Sequence, residues 1–142
     1  MPINNQSIGR DLAVVLTTSA GPVTFNLTEY DPKPQFTSIK SKKLSGETFS
    51  AGIPDGWKVT FKMERENSSL DDMVAQNEDD YFNGVVVTAI TAMETISEPD
   101  GSVSQFRYTK GSITGADLGN WKPESFVGQS VEVSFSRRQK VS

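Results

Sequence analysis

Carboxylates are the densest reactive groups in this chain. Glu78-Asp79-Asp80 is an unbroken acidic run, and Asp71 and Asp72 precede it by one to two helical turns. Oxygen-rich clusters suit a hard cation such as magnesium or calcium. The spacing matches no calcium loop, however, and adjacent residues on a helix point in different directions, so the run reads as solvated or partner-facing surface. No metal site is expected. Histidine is absent, which removes the usual general base near neutral pH, the Ser-His-Asp arrangement and most zinc sites. Cysteine is absent too, so neither thiol chemistry nor a disulfide framework is available. A hydrolase would have to work with Asp79, Asp80 or Glu94, and nothing in the pattern sets two of these across a cleft. The expectation is a non-enzyme with no catalytic residue and no cofactor. Trp57, Trp121, Tyr81 and Tyr108 are the residues a ligand- or carbohydrate-binding β-sandwich would use for stacking, although aromatic side chains more commonly pack in cores or interfaces.

The elements that must position these residues centre on a stretch from Trp57 to about Thr114. Trp57, Val59, Phe61 and Met63 alternate with Lys58, Thr60, Lys62 and Glu64, the period of a half-buried strand. Ser68 with Asp71, or Ser69 with Asp72, makes a capping-box-like helix start. Leu70, Met73, Val74, Asn77, Tyr81 and Phe82 fall near helical spacing, and Asn83-Gly84 supplies the stop. Asp71 and Asp72 favour the helix start by about 0.3–1 kcal/mol each, whereas Glu78 to Asp80 sit at the unfavourable end. A basic partner surface would offset that cost. Val85 to Ile96 reads as a long strand, turned back by Glu98-Pro99-Asp100-Gly101 into Ser102–Thr114.

Elsewhere, residues 1–10 are polar and read as an N-terminal arm. Leu12, Val14 and Leu16 begin a first hairpin that Val23, Phe25 and Leu27 complete, the first of its strands open to burial on both faces at its centre. Asp31-Pro32-Lys33-Pro34 forbids a central strand. Residues 30–55 form an extended loop or hairpin with few apolar anchors, and Ile53-Pro54-Asp55-Gly56 reads as a second turn. Gly115 to Ser125 is a loop carrying Trp121. Val127, Val131, Val133 and Phe135 define a closing strand.

At 142 residues, with 35% hydrophobic content and regular Gly and Pro, the chain suits a single domain, 1–142, built from strands with one polar face. The fold class is mainly β: a two-sheet antiparallel sandwich or partly open barrel with one short α-helix. No apolar run is long enough to span a bilayer and no leader pattern opens the chain, so a soluble protein with no membrane partner is expected. The net charge of −4 argues against a protein that grips nucleic acid through phosphate neutralisation. The Lys33, Lys40, Lys42 and Lys43 group, and Arg137, Arg138 and Lys140, read as strand ends or partner contacts.

Several stretches together carry a resemblance. A strand ending Glu64-Arg65-Glu66-Asn67 leads to a helix "SSLDDMVAQNEDDYFNG" and a hairpin "ISEPDGSVSQFRYTKGSI". "TGADLGNWK" and a strand ending Ser136-Arg137-Arg138 follow. This order resembles the tail tube proteins of contractile-tailed bacteriophages and tailocins, from Leu12 onward. The resemblance implies hexameric rings that stack into a hollow tube and conduct DNA during genome ejection, with sheath and baseplate proteins as partners. It also implies location in the virion tail after assembly in the host cytoplasm. A secretion-system tube or a tube-initiating baseplate protein shares the pattern.

Three expectations follow. The Val85–Thr114 hairpin, with Trp57–Arg65, should pair across subunits or line the lumen, closing edges that are hazardous in a monomer. The lumen should be acidic, so that DNA passes without specific binding, and Glu94 is the first residue to place there. Finally, Lys33, Lys40, Lys42 and Lys43 should reach acidic surface at Glu78, Asp79 and Asp80 of a neighbour.

Overall fold

The computed structural model describes residue 6 and residues 11–18, 21–85 and 89–141. Strands β1 (Leu12–Thr18), β2 (Gly21–Thr24), β3 (Leu27–Lys42) and β4 (Thr48–Glu64) precede helix α1 (Ser69–Phe82). Strands β5 (Ile90–Ser97), β6 (Val103–Asp117), β7 (Gly128–Phe135) and β8 (Arg137–Lys140) follow it. All pairings are antiparallel, in the order β2-β1-β5-β6-β7-β4-β3, with β8 also on β6. The path does not close on itself.

Strand β6 belongs to two sheets. Its first half pairs with β5 and β8, and its second half with β7. Between them Lys110 takes φ 55, and the register against β5 shifts between Ile90 and Ala92, a bulge that bends the strand. At Gly111 a Cβ would lie 2.5 Å from the Phe135 ring, so only glycine fits where the sheets meet. The two sheets face each other across one core. Val14 and Leu16 of β1, Ala92 of β5 and Tyr108 of β6 meet Val59 and Phe61 of β4 and Val131 and Val133 of β7. Each fully buried aliphatic or aromatic side chain contributes about 1.5–3 kcal/mol. Helix α1 adds Leu70 and Met73 and no buried residue after them.

Several local expectations are corrected. Val23 to Leu27 is not one strand: β2 ends at Thr24, and β3 begins at Leu27 in the other sheet. Asn26, at the crossing, donates to both carboxylate oxygens of Glu66 at 3.0 and 2.9 Å. β1 buries only Val14 and Leu16, one face, while Val15 is exposed. Ile53-Pro54-Asp55-Gly56 is no turn. It lies inside β4, where Pro34 faces Trp57 and Phe36 faces Pro54, so the extra residue makes a bulge. Gly56 takes φ +91 there, with a hypothetical Cβ 2.8 Å from the Phe135 carbonyl. β6 runs to Asp117, shortening the loop expected from Gly115. Of the strand expected over Val85–Ile96, residues 86–88 lie outside the described residues, and β5 starts at Ile90. The N-terminal arm, residues 1–10, lies outside them except for Gln6.

Candidate assembly interface

The terminal strands of the sheet path are β2 and β3, and no further strand among the described residues lies beyond them. β3 holds Pro32 and Pro34, which lack the N–H that a second neighbour would need and so suit an edge. The hairpin β5–β6 is not an edge: β5 lies between β1 and β6, and β6 between β5 and β7 or β8. β4, with Trp57–Arg65, lies between β3 and β7. Inside the chain these strands therefore already have neighbours on both sides over most of their length, which leaves lining of the lumen as the remaining form of that expectation.

Beyond Trp57, β4 leaves β7, whose register ends at Trp57↔Phe135. From Phe36 to Pro54 the two strands pair only with each other. Within the expected extended segment 30–55, residues 36–54 thus form a β-ribbon arm projecting roughly 20 Å at ordinary strand rise. Register sorts its side chains by face, because directly opposed residues share one. Thr37 faces Ile53, Ile39 faces Ala51 and Ser41 faces Phe49, giving a mainly apolar face whose root carries the Asp55 carboxylate, which accepts from Thr37 at 3.3 Å. Lys40 faces Ser50 and Lys42 faces Thr48, on the opposite side. Lys43 belongs to the tip, where its ammonium sits 4.3 Å from the Phe49 ring. Phe36, Ile39, Phe49 and Ile53 are 63%, 50%, 49% and 45% exposed, so no described residue covers the ribbon.

A second exposed patch lies at the end of α1. Tyr81 and Phe82 are 71% and 75% exposed, pack edge to face at 5.2 Å and neighbour exposed Val85. Glu78 and Asp79 are exposed, and Asp80 accepts from Gln76 at 2.7 Å. The last turn holds no basic residue. The helix start, by contrast, is tied down. Ser68 is the N-cap and makes no side-chain cap bond, while Asn67, one residue earlier, accepts from the Ser69 N–H at 3.0 Å in an Asx turn. Ser68 instead donates to Asp72 at 3.0 Å. Asp71 accepts from Arg65 at 3.0 and 3.2 Å and from Gln129 at 2.9 Å.

The remaining site expectations divide clearly. Lys33 lies in the body portion of β3, 3.2 Å from its own neighbour Asp31. No ion pair among the described residues joins Lys40, Lys42 or Lys43 to Glu78, Asp79 or Asp80. Glu94 is corrected outright: it is 2% exposed, so its carboxylate is a core group and not part of an open wall. It accepts from Arg138 at 2.7 Å and from the Tyr108 hydroxyl at 3.4 Å, and Tyr108 in turn accepts from Tyr30 at 3.1 Å. Burial pushes the Tyr108 hydroxyl up to about 12, with the Glu94 charge adding to the rise. Tyr30 moves in the same direction, first through burial and then through Tyr108. Arg138 fills an aromatic box, 3.6 Å from the Phe106 ring centre and 5.0 Å from that of Trp57. This polar chain links β5, β6 and β8 of one sheet to β3 of the other.

Arg138, expected with Arg137 and Lys140 at a strand end or partner contact, instead pairs with the buried Glu94, and the arm's mainly apolar face is not among the sequence expectations. Arg138 lies past Ser136, where the bend into β8 shifts the alternation by one residue. The stacking platform does not form. Tyr108 is fully buried, Trp57 packs edge-on against it at 5.8 Å, Trp121 lies over Arg65, and Tyr81 is at the helix end. A pocket between β2, β4 and the helix start has a volume of 40 Å³, room for water alone. No metal-holding group of carboxylates occurs among the described residues, and no helix is long and apolar enough to cross a membrane.

No family model and no curated protein matches the sequence. Solved structures do. A chain of an extracellular contractile injection system sheath-tube complex (PVC, extended state) aligns with TM-score 0.66 at 10% identity, covering 99% of this chain and 94% of that one. The tail of a gene transfer agent particle, refined with C6 symmetry, gives TM-score 0.62 at 16% identity, covering 96% and 100%. The SPP1 tail tube gives 0.61 at 11% identity, covering 95% and 78%. The chain has the tail-tube fold.

Proposed function

We propose that the protein is a non-enzymatic structural subunit of a phage-type tail tube. Six copies form a ring, rings stack into a hollow tube, and DNA crosses the lumen during ejection without specific binding. Sheath and baseplate proteins are its further partners, and the virion tail is its location after assembly in the host cytoplasm. One observation carries the reading: in a tube-like fold along nearly the whole chain, two sheet ends and a two-stranded arm have no further strand beside them among the described residues. Such edges are hazards in a monomer and become assets when neighbours pair with them. A two-stranded ribbon is marginal in water alone, so this arm has a reason to be covered. The sixfold number is supported by the C6 tail that shares the fold. The net charge of −4 disfavours retention of DNA phosphates. Which acidic residues face the lumen is open to assignment, with Glu94 excluded by burial.

Electron microscopy of negatively stained purified protein, with light scattering across a concentration series, tests the reading. Rings or tubes are expected. A protein that stays monomeric at every concentration and salt refutes it. Assembled tubes that retain labelled duplex DNA at physiological salt would refute the conduit.

A further inference from the structure

The arm and the helix end match each other in chemistry. The arm's mainly apolar face presents Ile39, Phe49 and Ile53, with the Asp55 carboxylate held by Thr37 at its root, and its far end adds Lys43 beside Phe49. The helix end presents Tyr81, Phe82 and Val85 beside Glu78 and Asp79, with no basic residue in its last turn. One patch is apolar with a cation and the other apolar with anions. Both stay exposed in the single chain, so they do not cover each other within it. We infer that the mainly apolar face of the arm docks on the α1 end of a second copy, Ile39, Phe49 and Ile53 against Tyr81, Phe82 and Val85, with Lys43, at the end of the arm away from Asp55, meeting Glu78 or Asp79.

This inference rests on the tube reading and gives it a specific contact. The occupant is another copy because both halves of the match lie on one chain with opposite charge. Pairing two different patches of the same chain is a heterologous contact, which propagates into closed rings or open arrays and does not stop at a dimer. The geometry also separates the lysines. Lys40 and Lys42 lie on the opposite face of the ribbon and leave the contact, while Lys43 enters it.

The chain has no cysteine, so two introduced thiols report the contact cleanly. Ile39→Cys and Phe82→Cys variants, both at exposed positions, are mixed under assembly conditions and oxidised. The 39–82 disulfide is expected to dominate over 39–39 and 82–82 products by at least tenfold, and a chain carrying both thiols should give a ladder of multimers. Lys43→Glu should lower tube yield several-fold, and Asp79→Lys in the same chain should restore it. Lys40→Glu with Lys42→Glu should leave yield within twofold of the parent. Circular dichroism confirms that each variant is folded. Tubes that form without the 39–82 product overturn the docking and leave the tube reading standing. A parent protein that never assembles, together with thiol variants that never give the 39–82 product, overturns both.

Discussion

Replacing Arg138 by Met tests whether the polar chain through the core is a structural pin. The Arg138 guanidinium lies 2.7 Å from Glu94, whose side chain is 3% exposed against 22% for Arg138. Removing one member of a buried pair costs about 3–5 kcal/mol, because the other charge is left in a poor medium. Partial exposure of Arg138 lets water reach the site, which places Arg138→Met near the lower end, about 3 kcal/mol. The lost aromatic contacts, with Phe106 at 3.6 Å, contribute to the same change. Glu94 would keep only the 3.4 Å bond from Tyr108. Glu94→Leu alone strands the Arg138 charge, whereas the double variant removes both desolvated charges and should recover most of the loss. The expected coupling is about 2–3 kcal/mol. Urea unfolding followed by tryptophan fluorescence measures it, at concentrations where the parent is monomeric, since assembly adds stability of its own. A loss below about 1 kcal/mol, or no coupling, would mean that the pair behaves like an exposed one. The reasoning from burial would then fail.

Three further outcomes are expected. Gly56→Ala should destabilise by about 1–3 kcal/mol in urea, since alanine must hold a left-handed φ with its Cβ against the Phe135 carbonyl. Asp71→Ala strips acceptors from Arg65 and Gln129 and should cost about 1–3 kcal/mol, with faster hydrogen exchange in the first turn of α1. In alkali, the folded state holds the Tyr108 proton up to about 12 while the unfolded chain releases it near 10.0. The stabilisation is therefore complete below the unfolded value and is lost as pH rises from there through about 12, with Tyr30 acting in the same direction. Urea midpoints should fall from about pH 10 upward, and a flat profile would contradict the buried hydroxyl chain.

Sequence reasoning located the elements whose signals are local. The Trp57–Glu64 alternation, the α1 boundaries and the Glu98–Gly101 turn depend on neighbours a few residues apart. The turn closes with Ser102 donating to Asp100 at 2.9 Å and Gly101 at φ +90, as its residue types require. Ile53-Pro54-Asp55-Gly56 carries the same chemistry and became a bulge, because strand pairing on both sides of it outweighed the local preference. Glu94 was misplaced for a related reason. A carboxylate on a strand reads as exposed unless its partner is known, and Arg138 comes 44 residues later on a strand whose alternation is broken at Ser136. The tail-tube architecture was legible as element order, whereas which strands would be edges was not, since it depends on pairings between distant segments.

The arm exposes a different limit. Its apolar residues are too few to mark a core, and residues 30–55 therefore read as an extended loop or hairpin, without a choice between them. Yet Ile39, Phe49 and Ile53 are well spaced for a two-stranded ribbon: folding the strands about the 43–47 turn puts all of them on one side and Lys40 and Lys42 on the other. The pattern emerges only when two strands are read together, across the turn, and not along either alone. A ribbon whose apolar side chains no described residue covers is marginal by itself. The body, with β4 buried at Val59, Phe61 and Met63, folds around its own core. Strand β4 is thus divided: its second half belongs to that core, and its first half projects from it, the part that the proposed contact between copies would use.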